Sequence, residues 1–230
     1  MADALLEEGL KKLGLGGNED RISSLLARYI EEIELFNPAY GLVKVRDHEE
    51  LIVKHILDSL APLGVIRDLM EPPAGPKRKL IADIGSGAGL PGMPLAVCMP
   101  NAVFTLVERM GRRAGFLRDA AAVLGLSNVM VEEAEMEKLA RSRAGSFDLI
   151  VFRAFRPLEP VILKGLFALL ASGGILAAYK GRRQSIEEEI ARLERFPLGN
   201  SPRGNLRWEI IPLEVPFLEE ERHLVLIRCL

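Results

Sequence analysis

One stretch constrains this chain more than any other: LIADIGSGAGLPG, over residues 80–92. An apolar β-type run passes directly into glycines at 85, 87 and 89, and helix-forming residues follow at once. Glycine accepts positive φ and lets a ligand approach main chain where a Cβ would collide. A helix starting behind such a loop turns its free N–H groups toward the same spot and favours a carboxylate or phosphate there. The spacing is Gly-x-Gly-x-Gly. A dinucleotide fingerprint needs its third glycine three residues after the second, and position 90 is leucine. Nicotinamide dehydrogenase chemistry is therefore disfavoured. Asp83, two residues ahead of Gly85, sits where a cationic cofactor can use it.

The rest of the chain supplies the sheet that such a loop requires. Apolar runs at 80–84, 103–107, 128–131, 148–152 and 174–179 predict strands buried on both faces. Helical stretches near 91–99, 111–124, 158–170 and 184–195 lie between them. This alternation implies a parallel sheet with helices on both sides. Residues 207–215 and 222–229 form two further strands, joined by a short acidic connection. That connection is too short for a helical crossover, so the last pair is expected to be antiparallel. An α/β sheet, mostly parallel and ending in an antiparallel hairpin, is the outline of the Rossmann-like class I methyltransferase fold.

Ahead of the sheet the periodicity is helical. Residues 3–13 form a short amphipathic piece closed by Gly14–Gly17. Residues 19–36 carry Ile22, Leu25, Leu26, Tyr29, Ile30, Ile33 and Phe36 at helical spacing. Residues 48–61 follow a capping-box start, Asp47-x-x-Glu50. The segment 71–79, with three prolines and a glycine, reads as a linker. The expected organisation is an N-terminal helical cap over 1–70 and a methyltransferase domain over 71–230, folded as one compact unit.

Composition narrows the function classes. In 230 residues, 49% are hydrophobic, enough for a core without staples. Cys98 and Cys229 make neither a disulfide framework nor a zinc site, and no metal is expected. The N-terminus has acids where a signal peptide carries positive charge. No run approaches the ~18 apolar residues of a membrane span, so a cytoplasmic protein is expected. A net charge of −2 argues at first against nucleic acid. The cations are clumped, however: Lys77–Lys79; Arg109, Arg112, Arg113 and Arg118; Arg153 and Arg156; Lys180, Arg182 and Arg183. Such clumps serve either as solvated faces or as a nucleic-acid surface.

Three acids and a basic residue stand out as site candidates. Glu108 ends the second strand, at the carboxyl edge where α/β sheets bind ligands. A carboxylate there can accept both ribose hydroxyls of an adenosine; the alternative is a plain surface acid. Glu137, after the third strand, can frame an adenine or be one of several local surface acids. Asp58 lies three residues after His55, on one helical face. Arg153 ends the fourth strand, as an ion-pair partner or a clamp on substrate or cofactor.

These residues resemble the RsmG (GidB) family, bacterial methyltransferases acting on guanine N7 in the 530 loop of 16S rRNA. The resemblance rests on HILDSL at His55–Leu60, DIGSGAGLPGMPLA at Asp83–Ala96, FDLIVFRAF at Phe147–Phe155, Lys180-Gly181, and ERHLVLI at Glu221–Ile227. It implies S-adenosylmethionine as cofactor, with contacts from the loop of Gly85, Gly87, Gly89 and Leu90, from Glu108, from Met136-Glu137 and from Arg153. It implies 16S rRNA or the small ribosomal subunit, as a precursor, as partner. Three positions depart from the family pattern. Gly41-Leu42-Val43 replaces Asn-Leu-Thr, Glu135 replaces an arginine, and Arg112-Arg113 replaces a lysine pair.

Guanine N7 carries no proton, so its methylation needs alignment and no general base. The sequence agrees: no Pro-Cys stands where a cysteine nucleophile for pyrimidine methylation would. Asn37-Pro-Ala-Tyr40 resembles an amino-group methyltransferase motif but precedes the cofactor loop. It reads as a helix stop and turn. Arg153, Asp58 and His55 are the candidates for positioning substrate. An arginine cannot grip both O6 and N7 without covering the nucleophile. Arg112, Arg113, Lys180, Arg182 and Arg183 are the expected phosphate-binding surface. Two other readings stay open: a methyltransferase of another substrate, and an inactive Rossmann-like binding module.

Overall fold

The computed structural model describes residues 3–15, 19–70, 78–195 and 206–229. Gly16, Gly17, residues 71–77 of the expected linker, and Lys77 lie outside the described residues. Seven strands form one sheet: β1 Leu80–Ile84, β2 Val103–Glu108, β3 Val129–Glu133, β4 Phe147–Arg153, β5 Leu170–Lys180, β6 Leu206–Leu213 and β7 Arg222–Cys229. Their order is β3-β2-β1-β4-β5-β7-β6. The first five are parallel, and β7 runs antiparallel between β5 and β6. The order reverses between β1 and β4, which opens a crevice above their carboxyl ends.

Strand alternation divides the interior into two cores. In β4, Leu149 and Val151 face one side while Ile150 and Phe152 face the other, as a two-residue side-chain period requires. One core packs under the helices Gly92–Cys98 and Gly111–Val123 and continues without a break into the N-terminal helices, through Leu6, Leu10, Tyr29, Ile56 and Leu57. The other packs under Met136–Ser142, Pro160–Leu169 and Arg183–Glu194. Asn128 fixes the start of β3: its buried amide donates to the carbonyls of Ala96, Met99 and Ala102.

The structure corrects several expectations. β3 is an edge strand, so Met130 and Glu133 are exposed and burial on both faces fails there. The second helix does not stop at Asn37 but runs Glu19–Tyr40 with Pro38 inside it. A proline in the last turn removes one ladder bond, and Phe36 holds that turn through ring contacts to Tyr40 and Phe116. The stop is Gly41, at φ +58°, whose N–H reaches the Asn37 carbonyl. The helix expected over 48–61 contains a π-helical centre, Ile52–Leu57, between the α-helical turns His48–Leu51 and Asp58–Leu60. There Ser59 Oγ donates to the His55 carbonyl that a regular ladder would use. β5 begins at Leu170, with a register shift opposite Phe147–Leu149. Two short helices, Leu63–Met70 and Met136–Ser142, were not expected.

Candidate active site

A cavity of about 640 Å³ opens at the carboxyl ends of β1, β4 and β5. Its two sides are built differently. The first is the glycine loop, and all but one of the side-chain bonds that fix it run to main chain. Asp83, fully buried at the end of β1, accepts from Ser86 Oγ at 2.7 Å and from the Gly92 N–H at 3.0 Å, so one carboxylate oxygen closes both ends of the loop. Its other oxygen has no hydrogen-bond partner, and burial pushes the carboxyl up to about 6. Glu108 reaches across from β2 and accepts from the Gly87 N–H at 3.0 Å and the Met110 N–H at 2.8 Å. Tyr29, from the Glu19–Tyr40 helix, donates its hydroxyl to the Ala88 carbonyl.

Two of the glycines serve different ends. Gly87 sits at φ +61°, and a Cβ there would meet nothing nearer than the Gly85 carbonyl at 3.9 Å. The space beside it is open cavity, so a ligand can lie against bare main chain. Gly89, expected to contact a cofactor, does not line the cavity. A Cβ on it would come within 2.7 Å of the Tyr29 hydroxyl and 2.6 Å of Met93, so its bareness admits the N-terminal helix. Gly85 and Leu90 do line the cavity.

The second side is a cluster of charged side chains. Asp58, 4% exposed, receives Arg153 at 2.7 Å on one oxygen and Arg222 at 3.2 Å on the other. Arg153 also donates to the Lys54 carbonyl at 3.2 Å and to His55 Nδ1 at 3.1 Å. Burial and the adjacent Arg153 push the His55 imidazole down to about 4. It is neutral at physiological pH and accepts from the guanidinium. Asp58 and His55, expected on one helical face, and Arg153 from the end of β4 thus form one network on the cavity wall. Arg153 is ion-paired, as one of its two readings expects, and it lines the cavity.

The remaining candidates are scattered. Glu108 is buried behind the loop, Met136 is buried beneath Gly165, and Glu137 pairs with Arg156 at 2.9 Å; none lines the cavity. The five cations expected to form one surface fall into two groups. Arg112 and Arg113 begin the helix after β2, where Arg113 lines the cavity and donates to the Gly41 carbonyl at 2.9 Å. Lys180 ends β5 and Arg182 and Arg183 follow it, three strands from β2 on the other side of β1. Lys180 pairs with Glu189 at 2.6 Å and Arg183 with Glu187 at 2.8 Å. Arg222 and Phe155 were not singled out. Both lie in segments that carried the resemblance, ERHLVLI and FDLIVFRAF, but only the sheet register brings Arg222 to Asp58.

The cavity has the size of small-ligand sites, about 300–1,000 Å³, and the bare main chain at Gly87 fits an S-adenosyl cofactor. Comparison with known proteins bears on the same point. The family model described as rRNA small subunit methyltransferase G matches residues 22–199. A ribosomal RNA small subunit methyltransferase G from Treponema denticola is 35% identical, covering 99% of this chain and 94% of its own length. Its namesakes from Treponema pallidum and Stenotrophomonas maltophilia are 39% and 38% identical, each covering 97% of this chain and 93% of their own length. Among solved structures, a SAM-dependent methyltransferase from Aquifex aeolicus superposes with a TM-score of 0.53 at 16% identity, covering 74% of this chain and 91% of its own. The human methyltransferase 10 domain containing protein gives 0.53 at 11%, over 89% and 97%. Those two establish the class I methyltransferase fold. The cofactor is S-adenosylmethionine, and the chain belongs to the rRNA small subunit methyltransferase G family.

Proposed function

We propose that the protein methylates N7 of a guanine in small-subunit 16S rRNA, acting in the cytoplasm on a ribosomal precursor or subunit. The observation that carries this reading is how two ionisable groups on the cavity wall, His55 and Asp58, are held. His55 has its Nδ1 lone pair on Arg153 and is held near 4, too weak a base for neutral pH. Asp58 has both oxygens committed to arginines. Cys98, buried outside the cavity, is pushed up to about 12. His55 and Asp58 thus serve to orient and not to remove a proton, and Cys98 stands away from the cavity. Guanine N7 is a nucleophile that needs only orientation.

The bound cofactor would supply a methyl group on an electrophilic sulfonium. The loop of Gly85, Gly87 and Leu90 would hold it, with Glu108 fixing Gly87 and available to ribose hydroxyls through its remaining lone pairs. Met136 and Glu137 would border the adenine. Arg153, kept in place by Asp58, would meet the target base or the cofactor carboxylate, and Arg112, Arg113, Lys180, Arg182 and Arg183 would meet phosphates. The helices before residue 71 would act as a cap that folds with the sheet, a reading supported by the shared core from Leu6 to Leu226.

The test is mass-spectrometric mapping of rRNA from cells with and without the gene, followed by borohydride and aniline cleavage at the modified base. N7 methylation labilises the imidazolium ring, so cleavage is expected. The rate should be nearly flat from about pH 6 to 9 because no base must lose a proton. Arg153→Ala should depress kcat/KM more than RNA affinity. A methylated base that resists aniline, or a steep rate dependence with one ionisation near 7, overturns the reading.

A further inference from the structure

Beside the active-site cavity lies a second one, of about 480 Å³. The two share Ala154, Phe155, Arg156, Lys180 and Gly181, so what separates them is one aromatic residue and its neighbours. We propose that this second cavity binds the nucleotide flanking the methylated guanine, with its base stacked at Phe155 and its phosphate on Arg182 and Arg192. This rests on the RNA reading above and adds to it a defined subsite.

The backbone places Phe155 deliberately. Ala154, directly after β4, is held at φ +49°, a left-handed conformation that is strained for a non-glycine residue. That turn swings Phe155 back over the glycine loop, where a Cβ on Gly85 would come within 2.3 Å of its ring. The ring also meets Phe152 edge-on, at 6.5 Å between centroids. It remains half-buried and faces both cavities. The Arg156 guanidinium stands over it, 5.0 Å from the centroid. Arg156 is exposed, with one surface ion pair to Glu137. Unpaired RNA bases stack on aromatic rings and on guanidinium planes alike. A base can therefore displace Arg156 or lie on it.

The charge of the cavity points to a phosphate. Among the described residues, Arg156, Lys180, Arg182 and Arg192 line it against a single acid, Glu189. Glu189 is committed, accepting from Lys180 at 2.6 Å and from the Leu158 N–H at 2.9 Å. Arg182 and Arg192 are exposed and have no ion-pair partner among the described residues. In a chain of net charge −2 this is a local excess of positive charge. Arg183, one residue on, is occupied by Glu187 and does not line the cavity. An aromatic wall, a stacked guanidinium and unpaired cations together suit a nucleotide better than an acidic peptide, which has no use for the ring.

The test uses the full chain saturated with S-adenosylhomocysteine and titrated calorimetrically with a guanosine-containing single-stranded RNA trinucleotide. Phe155→Leu should weaken trinucleotide binding by about 5- to 150-fold, the range for losing one base–aromatic stack. Affinity for S-adenosylhomocysteine should stay within about threefold in Arg192→Ala, because Arg192 lines only the second cavity. Arg192→Ala, on an exposed helix face away from the glycine loop, should make the salt dependence shallower by about one counterion. Parent-like binding and salt slope in both variants would overturn the subsite, as would a parent protein that binds no trinucleotide at millimolar concentration. The methylated atom is read separately from rRNA. Trinucleotide binding that depends on Phe155, with methylation at another atom, would retain the subsite and reject guanine N7.

Discussion

The two sides of the active-site cavity hold their residues by different means. On the glycine-loop side, Asp83 and Glu108 accept backbone N–H groups and Tyr29 donates to a backbone carbonyl, so the cradle is fixed by main chain inside a packed core. On the opposite side, Asp58, Arg153, Arg222 and His55 hold one another through side chains. Main-chain bonds hold a shape whether or not a ligand is there. Arginines paired to one carboxylate can exchange that partner for a phosphate or base oxygen at modest cost, because a charge-assisted bond replaces a charge-assisted bond. The difference suits a cofactor that always has the same outline and an RNA that must enter and leave.

The largest effect that distinguishes the two sides should come from the loop. Gly87→Val places a branched side chain at φ +61° in the open cavity. Calorimetry should then detect no S-adenosylhomocysteine binding while the thermal transition stays cooperative. Retained affinity would mean the cofactor does not lie against this main chain. Asp58→Ala is the matching change on the other side. Removing one partner of a buried ion pair costs about 3–5 kcal/mol, because the remaining charge is left unpaired. Arg153 and Arg222 keep 15% and 23% side-chain exposure, so the lower end is expected. Denaturant unfolding should show that loss, while cofactor affinity falls far less than in Gly87→Val. An equal fall in affinity would show that the two sides act as one.

The glycine-loop side was largely legible in the sequence, and the contrast has a physical cause. Loop, strand and following helix are contiguous in residues 80–92, so spacing alone fixes their relation. Glu108 was placed correctly at the end of β2, but its bonds to Gly87 and Met110 depend on how β2 sits beside β1. The arginine side draws on the helix at His48–Leu60, on β4 and on β7, and nothing local joins Asp58 to Arg222. Met136–Ser142 escaped notice because a helix buried through only Met136 and Leu139 is too short to show periodicity. Pro38 misled in the opposite direction, since a single lost ladder bond near a helix end is tolerated.

A smaller effect separates the two roles of Glu108. As a ribose acceptor it contributes directly to affinity; as an acceptor from Gly87 N–H it fixes the loop. Glu108→Ala should weaken S-adenosylhomocysteine binding by about 1.5–3 kcal/mol, the range for hydrogen bonds to a charged group. Hydrogen exchange at the Gly87 amide should quicken in the same variant without ligand. Weakened binding with unchanged exchange would assign Glu108 to the ribose alone.

The smallest effect lies behind the arginine side. His48, at the start of the helix that carries His55 and Asp58, meets Glu34 at 2.7 Å and Asp3 at 2.6 Å, tying the first helix to the second and third. Those two carboxylates raise its pKa above the ordinary 6.5, Glu34 foremost. Asp3 is drawn below the usual carboxylate value: burial pushes it up, but bonds from His48 and the Leu5 and Leu6 amides outweigh that. A histidine with a raised folded pKa contributes its full stabilisation below its unfolded value and loses it as pH rises through the folded one. For an acid with a lowered pKa the contribution is lost as pH falls through the folded value. The tie is therefore strongest between the carboxylate range and about pH 6.5, and it weakens on going to pH 8. His48 is 46% exposed, so the contribution is that of a surface pair, about 1 kcal/mol or less. Gly9 of the first helix packs against Leu57, which sits one residue before Asp58. Loosening should accordingly appear as faster amide exchange over Ala4–Lys12 and Ile52–Leu57 at pH 8 than at pH 6, after correction for intrinsic rates, with residues 85–92 unaffected. His48→Gln should show the pH 8 behaviour at both pH values. Equal protection of the first helix at pH 6 and 8 would show that apolar packing through Leu6 and Leu10, and not the histidine, holds that end of the molecule.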